Sequence, residues 1–382
     1  MRRVVSVLVA LAASVGTAGA AAVCTGPIRV AVVTPTTTAL ALLGIQAANG
    51  VRFAADEINA AGGIAGQQVS VTVEDTAASA GTALSAINRV LEPASDGSGP
   101  IAVFGSPISP LVFTQSEAIR KAGVPFLVTA TNAGITAQNL PWLFRIHVHD
   151  GQLATLVPAY AVQTMHLQKP GIIVVGDDYG LGASKGMQAT LAAMGITPAA
   201  ATSYAPSDRD MTAQLLDITD KGADGIITFG RPGDLALVLK QIRQLGISLP
   251  RLGNTSLMAP TTMANVTDDE ADGAIGIGGM LPQSGDARAQ AFAAAVEAKY
   301  SVPADNFTVA YDDGMHLLKE AIEAVGCDRA AIRDRLAATS GWQGLLIRYT
   351  ADARGDLAHT LGVYRNHGRS PQLLGTVSEA GF

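Results

Sequence analysis

Short apolar segments alternate with segments of helical periodicity along almost the whole chain, and this alternation restricts the fold more than any other feature. Residues 28–33 are apolar except for Arg29 and lead into a threonine-rich loop, after which apolar residues recur at helical spacing between Ala47 and Ile58. Over residues 69–73 valines alternate with polar residues, as in a strand. Strand–helix–strand units with short joints form parallel sheets with right-handed crossovers. The pattern therefore predicts an α/β fold.

The alternation runs through the first part of the chain and then starts again. Helical stretches at 82–91 and 111–122 are each followed by a strand, at 101–105 and 125–129. A second series begins after residue 146, with strands predicted at 171–176, 197–204, 224–229 and 251–253. The length of 382 residues allows about two domains of roughly 150 residues each. Because no Pro/Ser-rich linker separates the two series, we expect two α/β lobes joined by chain crossings.

Glycines mark the joints between helices and strands. Gly123, Gly195, Gly222 and Gly246 each follow a helical pattern and precede an apolar strand. Glycine accepts the left-handed backbone that ends many helices, so we expect these four to be C-terminal caps. Ligands of parallel sheets bind beyond the carboxyl ends of the strands. The loops after the strands are therefore where we expect binding residues.

The first residues have the form of a secretory signal peptide. A basic start, Met1-Arg2-Arg3, precedes an apolar run from Val4 to Val15 and a small-residue pattern at 18–20. The run is too short for a membrane span, and no later apolar run reaches about 18 residues. We expect residues 1–22 to be removed and the mature protein to be soluble in the periplasm.

Removal of this leader would also make the protein more acidic. Loss of Arg2 and Arg3 takes the formal net charge from −6 to −8. Proteins that bind nucleic acid neutralise its phosphates with Lys and Arg. The acidic balance therefore argues against a nucleic-acid partner.

The chain contains two cysteines, Cys24 and Cys327. Exported proteins fold in an oxidising compartment, where disulfides form and persist. A disulfide is therefore favoured, but two free thiols remain the alternative because sequence separation does not show whether the Cα atoms lie close enough.

Residues 56–66 and 177–182 are the most specific motifs in the chain, and read DEINAAGGIAG and DDYGLG. Shorter motifs are spread in order at 73–76, 122–126, 143–145, 210–212, 222–224, 311–313 and 341–356. Together they resemble the branched-chain amino-acid (Leu/Ile/Val-type) binding proteins of ABC importers, whose segments read D/E-x-I-N-A-x-G-G-I-x-G and D-x-Y-G-x-G.

This resemblance implies two Rossmann-like lobes, each a parallel-sheet α/β sandwich, joined by a three-crossover hinge as in type I periplasmic binding proteins. Lobe one would comprise residues 24–148 plus 282–340, and lobe two residues 149–281 plus 341–382. The resemblance also implies a monomeric solute-binding protein rather than an enzyme, with no cofactor and no metal. Its partner would be an ABC permease in the inner membrane.

Hydroxyl side chains follow two predicted strands of lobe one. Ser106 and Ser109 follow the third strand, and Thr129 and Thr131 lie at the end of the fourth. A carboxylate needs hydroxyl or N–H donors, and in the family the matching loops hold the ligand's carboxylate. Ser109 and Thr131 align best with those loops. Loop hydroxyls also form turns and helix caps, but two in matched loops favour binding.

Lobe two offers Asp150, Tyr179 and Asp234. The resemblance implies that acidic or aromatic side chains at these places bind an amine and cover the ligand. Asp150 and Asp234 also suit helix N-termini, where a carboxylate stabilises the helix by ~0.3–1 kcal/mol. Tyr179 is the strongest of the three candidates.

Two positions depart from the family pattern and bear on the ligand. Leu43, in the loop predicted at 34–44, stands where many members have an aromatic residue. Arg231 lies in a segment that lacks the tyrosines and glutamate of the amino-acid clamp, and its charge favours an anionic ligand. We therefore expect an amino acid or a related small carboxylate or amide.

Other residues of the chain are spaced as in proteins of different function. Residues 182–186, GASKG, match the G-x-S-x-G motif of hydrolases, which would make Ser184 a nucleophile, but the motif does not directly follow a strand as that chemistry requires. His147 and His149 are spaced as metal ligands can be, yet no further ligand set accompanies them. A ligand-binding component of a sensory system remains an alternative to a transport component.

Overall fold

The computed structural model describes residues 24–92 and 99–378; the predicted signal peptide lies outside this part of the chain. The strands are β1 (Ile28–Thr34), β2 (Val69–Asp75), β3 (Ala102–Phe104), β4 (Phe126–Val128), β5 (Leu143–Arg145), β6 (Pro170–Val175), β7 (Ala201–Tyr204), β8 (Gly225–Phe229), β9 (Arg251–Asn254), β10 (Ile275–Gly278), β11 (Trp342–Gln343), β12 (Arg348–Tyr349), β13 (Thr360–His367) and β14 (Ser370–Ser378). The helices are α1 (Ala41–Ala60), α2 (Ala80–Leu91), α3 (Ser109–Ala122), α4 (Asp150–Gln163), α5 (Asp178–Ala193), α6 (Thr212–Asp220), α7 (Pro232–Gln244), α8 (Pro260–Met263), α9 (Asp268–Ala271), α10 (Ala287–Tyr300), α11 (Asn306–Val325) and α12 (Arg329–Ala337).

The first five strands form a parallel sheet in the order β2-β1-β3-β4-β5. Successive residues of β1 point to opposite faces, so Val32 packs with α1 and α11, and Val33 packs with α2 and α3. Both faces of the sheet are thus covered by helices, which explains why the interior strands β3 and β4 are buried along their whole length, whereas the edge strand β2 alternates between apolar and polar residues. We call this sheet with its helices the first lobe.

The second sheet, which with its helices we call the second lobe, has the order β14-β13-β10-β9-β8-β6-β7. Its core is parallel, but β13 pairs antiparallel with both β10 and β14. The antiparallel edge differs from the all-parallel sheet expected from the sequence. It arises because β13 and β14 are joined by the two-residue turn Gly368-Arg369, and a hairpin can only join antiparallel strands. The strand predicted at 197–204 is also shorter than expected and begins at Ala201.

All four glycines predicted to end helices have a left-handed backbone. Gly123 is the C-cap of α3 with φ 58°, and Gly195, Gly222 and Gly246 have φ values of 75°, 74° and 67°. The prediction is confirmed, and these turns return the chain from each helix to the next strand.

The chain passes between the two lobes three times: after β5, after β10 and between β12 and β13. Arg145 at the end of β5 pairs with Asp356 on the third passage, which ties two of these passages together. The short ladder of β11 and β12 contacts α11 through Asp313, which accepts hydrogen bonds from the Leu345 N–H and the Tyr349 hydroxyl. The division into lobes by residue number given above assigns these two strands to lobe two, and that division remains a prediction.

Cys24 and Cys327 form a disulfide, with their Cα atoms 5.1 Å apart. It joins the start of the described chain to the segment just after α11. Within residues 24–92 and 99–378, no helix has the length and apolar character needed to cross a membrane.

Candidate functional site

A cavity of about 720 Å³ lies between the two lobes, beside the carboxyl ends of their strands. Its walls come from the loops after β3, β4, β6, β8 and β9 and from the first turns of α1 and α11. The lining residues include Leu40, Leu43, Ile108, Ser109, Phe113 and Thr131 from the first lobe, and Asp177, Asp178, Tyr179, Arg231, Pro232 and Ser256 from the second. A cavity of this size, mostly apolar with a few polar groups, suits a small organic ligand.

Of the four hydroxyls predicted in the first lobe, Ser109 and Thr131 line the cavity. Ser109 is the first residue of α3, and its Oγ accepts a hydrogen bond from the Asn132 N–H at 3.3 Å. This bond joins the loop after β3 to the loop after β4, so the two hydroxyl-bearing loops are held side by side.

Ser106 and Thr129 do not line the cavity. Both are completely buried: Ser106 Oγ accepts from the Ile108 N–H at 3.0 Å, and Thr129 Oγ1 donates to the Tyr311 hydroxyl at 3.1 Å. Ser106 thus shapes the turn after β3, and Thr129 anchors β4 to α11. Their hydroxyls are engaged within the protein, as is typical of turn and core residues.

Arg231, Asp177 and Tyr179 form a connected group on the second-lobe wall. Arg231 Nη2 donates to Asp177 Oδ2 at 2.6 Å, and the guanidinium carbon lies 5.3 Å from the centre of the Tyr179 ring, a cation–π distance. Asp177 also caps α5, because its Oδ1 accepts from the Gly180 N–H. The arginine is therefore held by a residue that the helix itself fixes in place.

Asn254 and Phe229 fix the position of the Tyr179 side chain. Its hydroxyl accepts a hydrogen bond from Asn254 Nδ2 at 2.9 Å, and its ring packs against Phe229 with the centroids 5.0 Å apart. Burial raises the pKa of Tyr179 well above its usual value, so the phenol is neutral. A rigid aromatic surface thus faces the cavity next to the charge of Arg231.

Asp150 lies behind Thr131 rather than on the cavity surface. Its N–H donates to the Thr131 carbonyl at 2.8 Å, and its Oδ1 is buried with no hydrogen-bond partner among the described residues. Burial raises the pKa of the Asp150 carboxyl to about 7, against the opposing effects of the Thr131 hydroxyl and Arg145. Near neutral pH this side chain is therefore partly protonated, which makes it a poor partner for an ammonium group.

Asp234 and Leu43 are placed differently from each other. Asp234 is the third residue of α7 and accepts from the Arg231 N–H at 3.4 Å; it caps the helix and does not line the cavity. Leu43 does line the cavity, but from a helix, since α1 begins at Ala41. The expectation of a loop through residue 44 was wrong, because the apolar residues 40–43 already belong to the helical pattern.

The sequence did not point to Ser256 and Phe307, which also line the cavity. Ser256 follows β9, so the rule used for the other strand ends would have found it. Phe307 is in the first turn of α11, with its ring stacked on His147 at 4.9 Å. No strand end marks that position, and only the packing of α11 across the passage after β5 brings it there.

The residues of the alternative functions are engaged elsewhere. Ser184 lies inside α5, where its Oγ accepts from Gln188 Nε2 at 3.1 Å, and no described hydrogen bond joins it to a histidine or a carboxylate. His147 is buried and pairs through Nε2 with the Asn306 amide, and its pKa is lowered to about 4 by burial. His149 caps α4. Among residues 24–92 and 99–378, Ser184 therefore has no histidine or carboxylate hydrogen-bond partner as a hydrolase nucleophile would.

Comparison with known proteins agrees with this architecture. Residues 27–367 match the family model described as periplasmic binding protein. The Leu/Ile/Val-binding protein homolog 3 of Brucella melitensis is 28% identical over 331 residues, which cover 86% of this chain and 87% of that protein. The Leu/Ile/Val-binding protein BraC3 of Rhizobium johnstonii is 28% identical over 301 residues, or 78% and 80% of the two chains.

Solved structures share the fold. The substrate binding protein LivJ of Streptococcus pneumoniae, in complex with isoleucine, superposes with a TM-score of 0.81 at 23% identity over 92% of this chain and 99% of that one. A solute binding protein of an R. palustris ABC transporter, in complex with benzoate, gives 0.79 at 20% identity over 92% and 97%. The predicted fold class is confirmed, and the comparisons lend no support to a hydrolase.

Proposed function

The chain belongs to the periplasmic binding protein family, whose model covers residues 27–367, and on this premise we propose that it is the extracytoplasmic solute-binding protein of an ABC importer. Its two lobes close on an amino acid or a related small carboxylate or amide. It works in the periplasm as a monomer, catalyses no reaction, and delivers its ligand to a permease in the inner membrane.

The observation that carries this proposal is the composition of the cavity walls. Ser109 and Thr131 on the first lobe lie across one cavity from Tyr179 and Arg231 on the second. A ligand that touches both walls makes more contacts when the lobes are closed than when they are open. Because a ligand shifts a conformational equilibrium only by its differential affinity for the two states, such a ligand favours closure.

The charges at the cavity support a carboxylate as the shared feature of the ligands. Arg231 makes one side-chain hydrogen bond within the described chain, to Asp177, and so retains N–H donors for an anion. Asp177 is occupied by that pair, and Asp150 is buried and partly neutral. The ligands named for two structures of the same fold, isoleucine and benzoate, have a carboxylate and an apolar body in common.

A thermal unfolding screen of the ligand-stripped mature protein tests the proposal. The panel contains leucine, isoleucine, valine, benzoate, 3-methylbutanoate and the amides of these acids. A ligand at 100 times its Kd stabilises the folded state by ~2.7 kcal/mol, which shifts the melting temperature clearly. We expect the carboxylates to raise the melting temperature more than their amides do.

Matched threonine variants locate the site. Thr131→Val removes the hydroxyl of a residue that lines the cavity and should weaken binding of the best ligand by about 10–100-fold, since a hydrogen bond to a charged group contributes ~1.5–3 kcal/mol. Thr114→Val removes a hydroxyl that bonds only to the Pro110 carbonyl within α3, and should leave the affinity unchanged. No response to any panel member, or equal affinities in the two variants, would contradict the proposal.

A further inference from the structure

A second cavity, of about 500 Å³, opens on the first lobe between α1, α10, α11 and the β11–β12 ladder. It is separate from the cavity between the lobes. Phe307 of α11 faces that cavity, whereas His316 lines the second one, nine residues later and about 14 Å further along the helix at ~1.5 Å per residue. The function proposed above does not use this second cavity.

Three side chains with metal-binding chemistry meet in it. Asp312 and His316 are four residues apart on α11, so they lie on one face of the helix, and Glu57 reaches them from α1. His316 Nε2 lies 3.6 Å from Glu57 Oε2 and 3.9 Å from Asp312 Oδ2. One donor atom from each of the three residues lies within 4.8 Å of the other two.

These distances are close to those of a coordinated ion. With metal–ligand bonds of ~2.0–2.2 Å, neighbouring ligands of a tetrahedral zinc ion are separated by about 3.3–3.6 Å. The two measured distances, from His316 to Glu57 and to Asp312, therefore need to shorten by only a few tenths of an ångström. Because Glu57 is exposed and on a different helix, it has the freedom to make that adjustment.

The hydrogen bonds of Asp312 provide an independent indication of a missing partner. Asp312 is 5% exposed, and its Oδ1 is buried with no hydrogen-bond donor among the described residues. The next residue, Asp313, is buried as well, but both of its oxygens accept hydrogen bonds, from the Leu345 N–H and the Tyr349 hydroxyl. The Oδ1 of Asp312 belongs to the same carboxyl group whose Oδ2 lies 3.9 Å from His316 Nε2. Burial of such a group without a donor is costly, and a cation bound to the group would offset that cost.

The charge of the surroundings also favours a cation. The carboxylates of Glu57, Asp312 and Glu320 line the cavity, and Arg288 is the basic residue that accompanies them there. Lys319, also on α11, does not line the cavity and is paired with Glu323 at 2.6 Å. Asp313 lines the cavity as well, so its walls hold more carboxyl groups than basic side chains.

We propose that Glu57, Asp312 and His316 bind a zinc ion on the first lobe, away from the ligand cavity. An imidazole nitrogen with two carboxylates suits zinc better than calcium or magnesium, which prefer oxygen ligands alone. Three protein ligands leave a fourth position for water, which the open cavity can hold. Because all three residues belong to the first lobe, the ion ties α1 to α11 and stabilises that lobe without bridging to the other.

Calorimetric titration of the tag-free, EDTA-dialysed mature protein with zinc chloride tests this assignment. We expect one zinc ion to bind per chain and to raise the melting temperature. His316→Ala and the isosteric Asp312→Asn should each weaken zinc binding by at least ~10-fold, since even loss of a group that only orients a ligand costs ~10–100-fold. His367→Ala, at an exposed histidine of the second lobe, is the matched control and should bind zinc like the wild type.

Several outcomes would overturn the proposal: no zinc binding at ~0.1 mM, equal binding by wild type and both site variants, or tighter binding of calcium or magnesium than of zinc. Melting temperatures without zinc show whether each variant is folded, and Asp312→Asn keeps the volume of the buried side chain. The affinity for the cavity ligand should be the same with and without zinc. The zinc site and the ligand cavity can therefore fail independently of one another.

Discussion

Two arginine–aspartate pairs have the same N–O distance of 2.6 Å, but one is buried between the passages that join the lobes and the other lines the cavity. Arg145 and Asp356 are buried where the first and third passages between the lobes meet, with side-chain exposures of 0% and 3%. Arg231 and Asp177 are on the cavity wall, with exposures of 24% and 29%. Distance alone does not separate the two pairs, so their roles must be read from what surrounds them.

The two pairs differ in how many N–H groups of the arginine still lack an acceptor after the pair has formed. The Arg145 guanidinium donates to Asp356 Oδ1, to the carbonyls of Ala130 and Asn132, and to Thr136 Oγ1, which in turn donates to Asp356 Oδ2. The Arg231 guanidinium makes only the bond to Asp177 among the described residues. An arginine whose N–H groups are used in hydrogen bonds within the protein has a structural role. An arginine that faces a cavity and keeps N–H groups without an acceptor can bind a ligand.

Arg145→Met should have the largest effect. It leaves the Asp356 carboxylate buried without its counter-charge, which costs about 3–5 kcal/mol of unfolding free energy. Urea unfolding measures the loss. Combining it with Asp356→Asn removes the orphaned charge and should restore part of the stability; if the double variant is no more stable than the single one, the penalty does not come from the buried charge.

Asp150→Asn tests a carboxyl whose pKa both pairs influence, since Arg145 lowers it and Asp177 raises it after the larger effect of burial. Its pKa is about 7 in the folded protein and ~3.9 in the unfolded chain. As pH rises from ~4 to ~7 the unfolded state therefore loses this proton first, and folding stability falls. At ~1.4 kcal/mol per pKa unit the full penalty is roughly 4 kcal/mol.

We therefore expect Asp150→Asn to be more stable than the wild type above pH 7 and to match it near pH 4. Chemical unfolding of both proteins at several pH values measures this difference. Other buried carboxyls titrate in both proteins, so they cancel in the comparison. A difference that does not change with pH would contradict the assigned pKa.

Arg231→Gln should separate binding from stability. Loss of a charged hydrogen-bond donor to a carboxylate ligand costs ~1.5–3 kcal/mol, or about 10–100-fold in Kd. The unfolding free energy should change by no more than ~1 kcal/mol because the pair is partly exposed. Calorimetry with the best carboxylate from the panel measures the first quantity, and urea unfolding the second. If the variant lost stability but bound the ligand with unchanged Kd, the Arg231–Asp177 pair would have a structural role, like the Arg145–Asp356 pair.

Arg243→Gln is the matched control and should have the smallest effect. Arg243 pairs with Asp269 at the same 2.6 Å, but both side chains are more than half exposed and lie outside the cavity. Exposed pairs contribute ~0–1 kcal/mol. We expect nearly unchanged unfolding and an unchanged Kd, measured alongside Arg231→Gln. A loss of affinity here would show that removing any surface arginine weakens binding of an anionic ligand.

Most of the fold could be predicted because its signals are local. Strand and helix periodicities and the glycine caps depend on residues within a few positions of each other, and the caps at Gly123 and its three counterparts are as expected. The hairpin of β13 and β14 was not predicted, since the periodicity indicated no strands beyond residue 253. Ser109, Thr131, Tyr179 and Arg231, which were predicted from their positions after strand ends, all line one cavity, and their role in binding stays a prediction.

A position after the end of a strand does not indicate whether a hydroxyl side chain lines the cavity. Thr129 and Thr131 are two residues apart, about 7 Å along an extended chain, and only the packing of Tyr311 over Thr129 buries the first and leaves the second exposed to the cavity. Asp150 and Asp234 likewise lie in the first turns of α4 and α7. At such positions a carboxyl group can cap the helix or be buried instead of binding a ligand.

The sequence by itself determined that the chain forms two α/β lobes, and it predicted a ligand site at the carboxyl ends of their strands. Only the tertiary structure decided which charges are paired. Arg145 finds its partner 211 positions away and Arg231 finds its own 54 positions away. The meeting of Glu57 with His316 depends on how α1 packs on α11. Periodicity depends on residues that are close along the chain. The hydrogen bonds and ion pairs of a charged side chain depend instead on every element that packs around it.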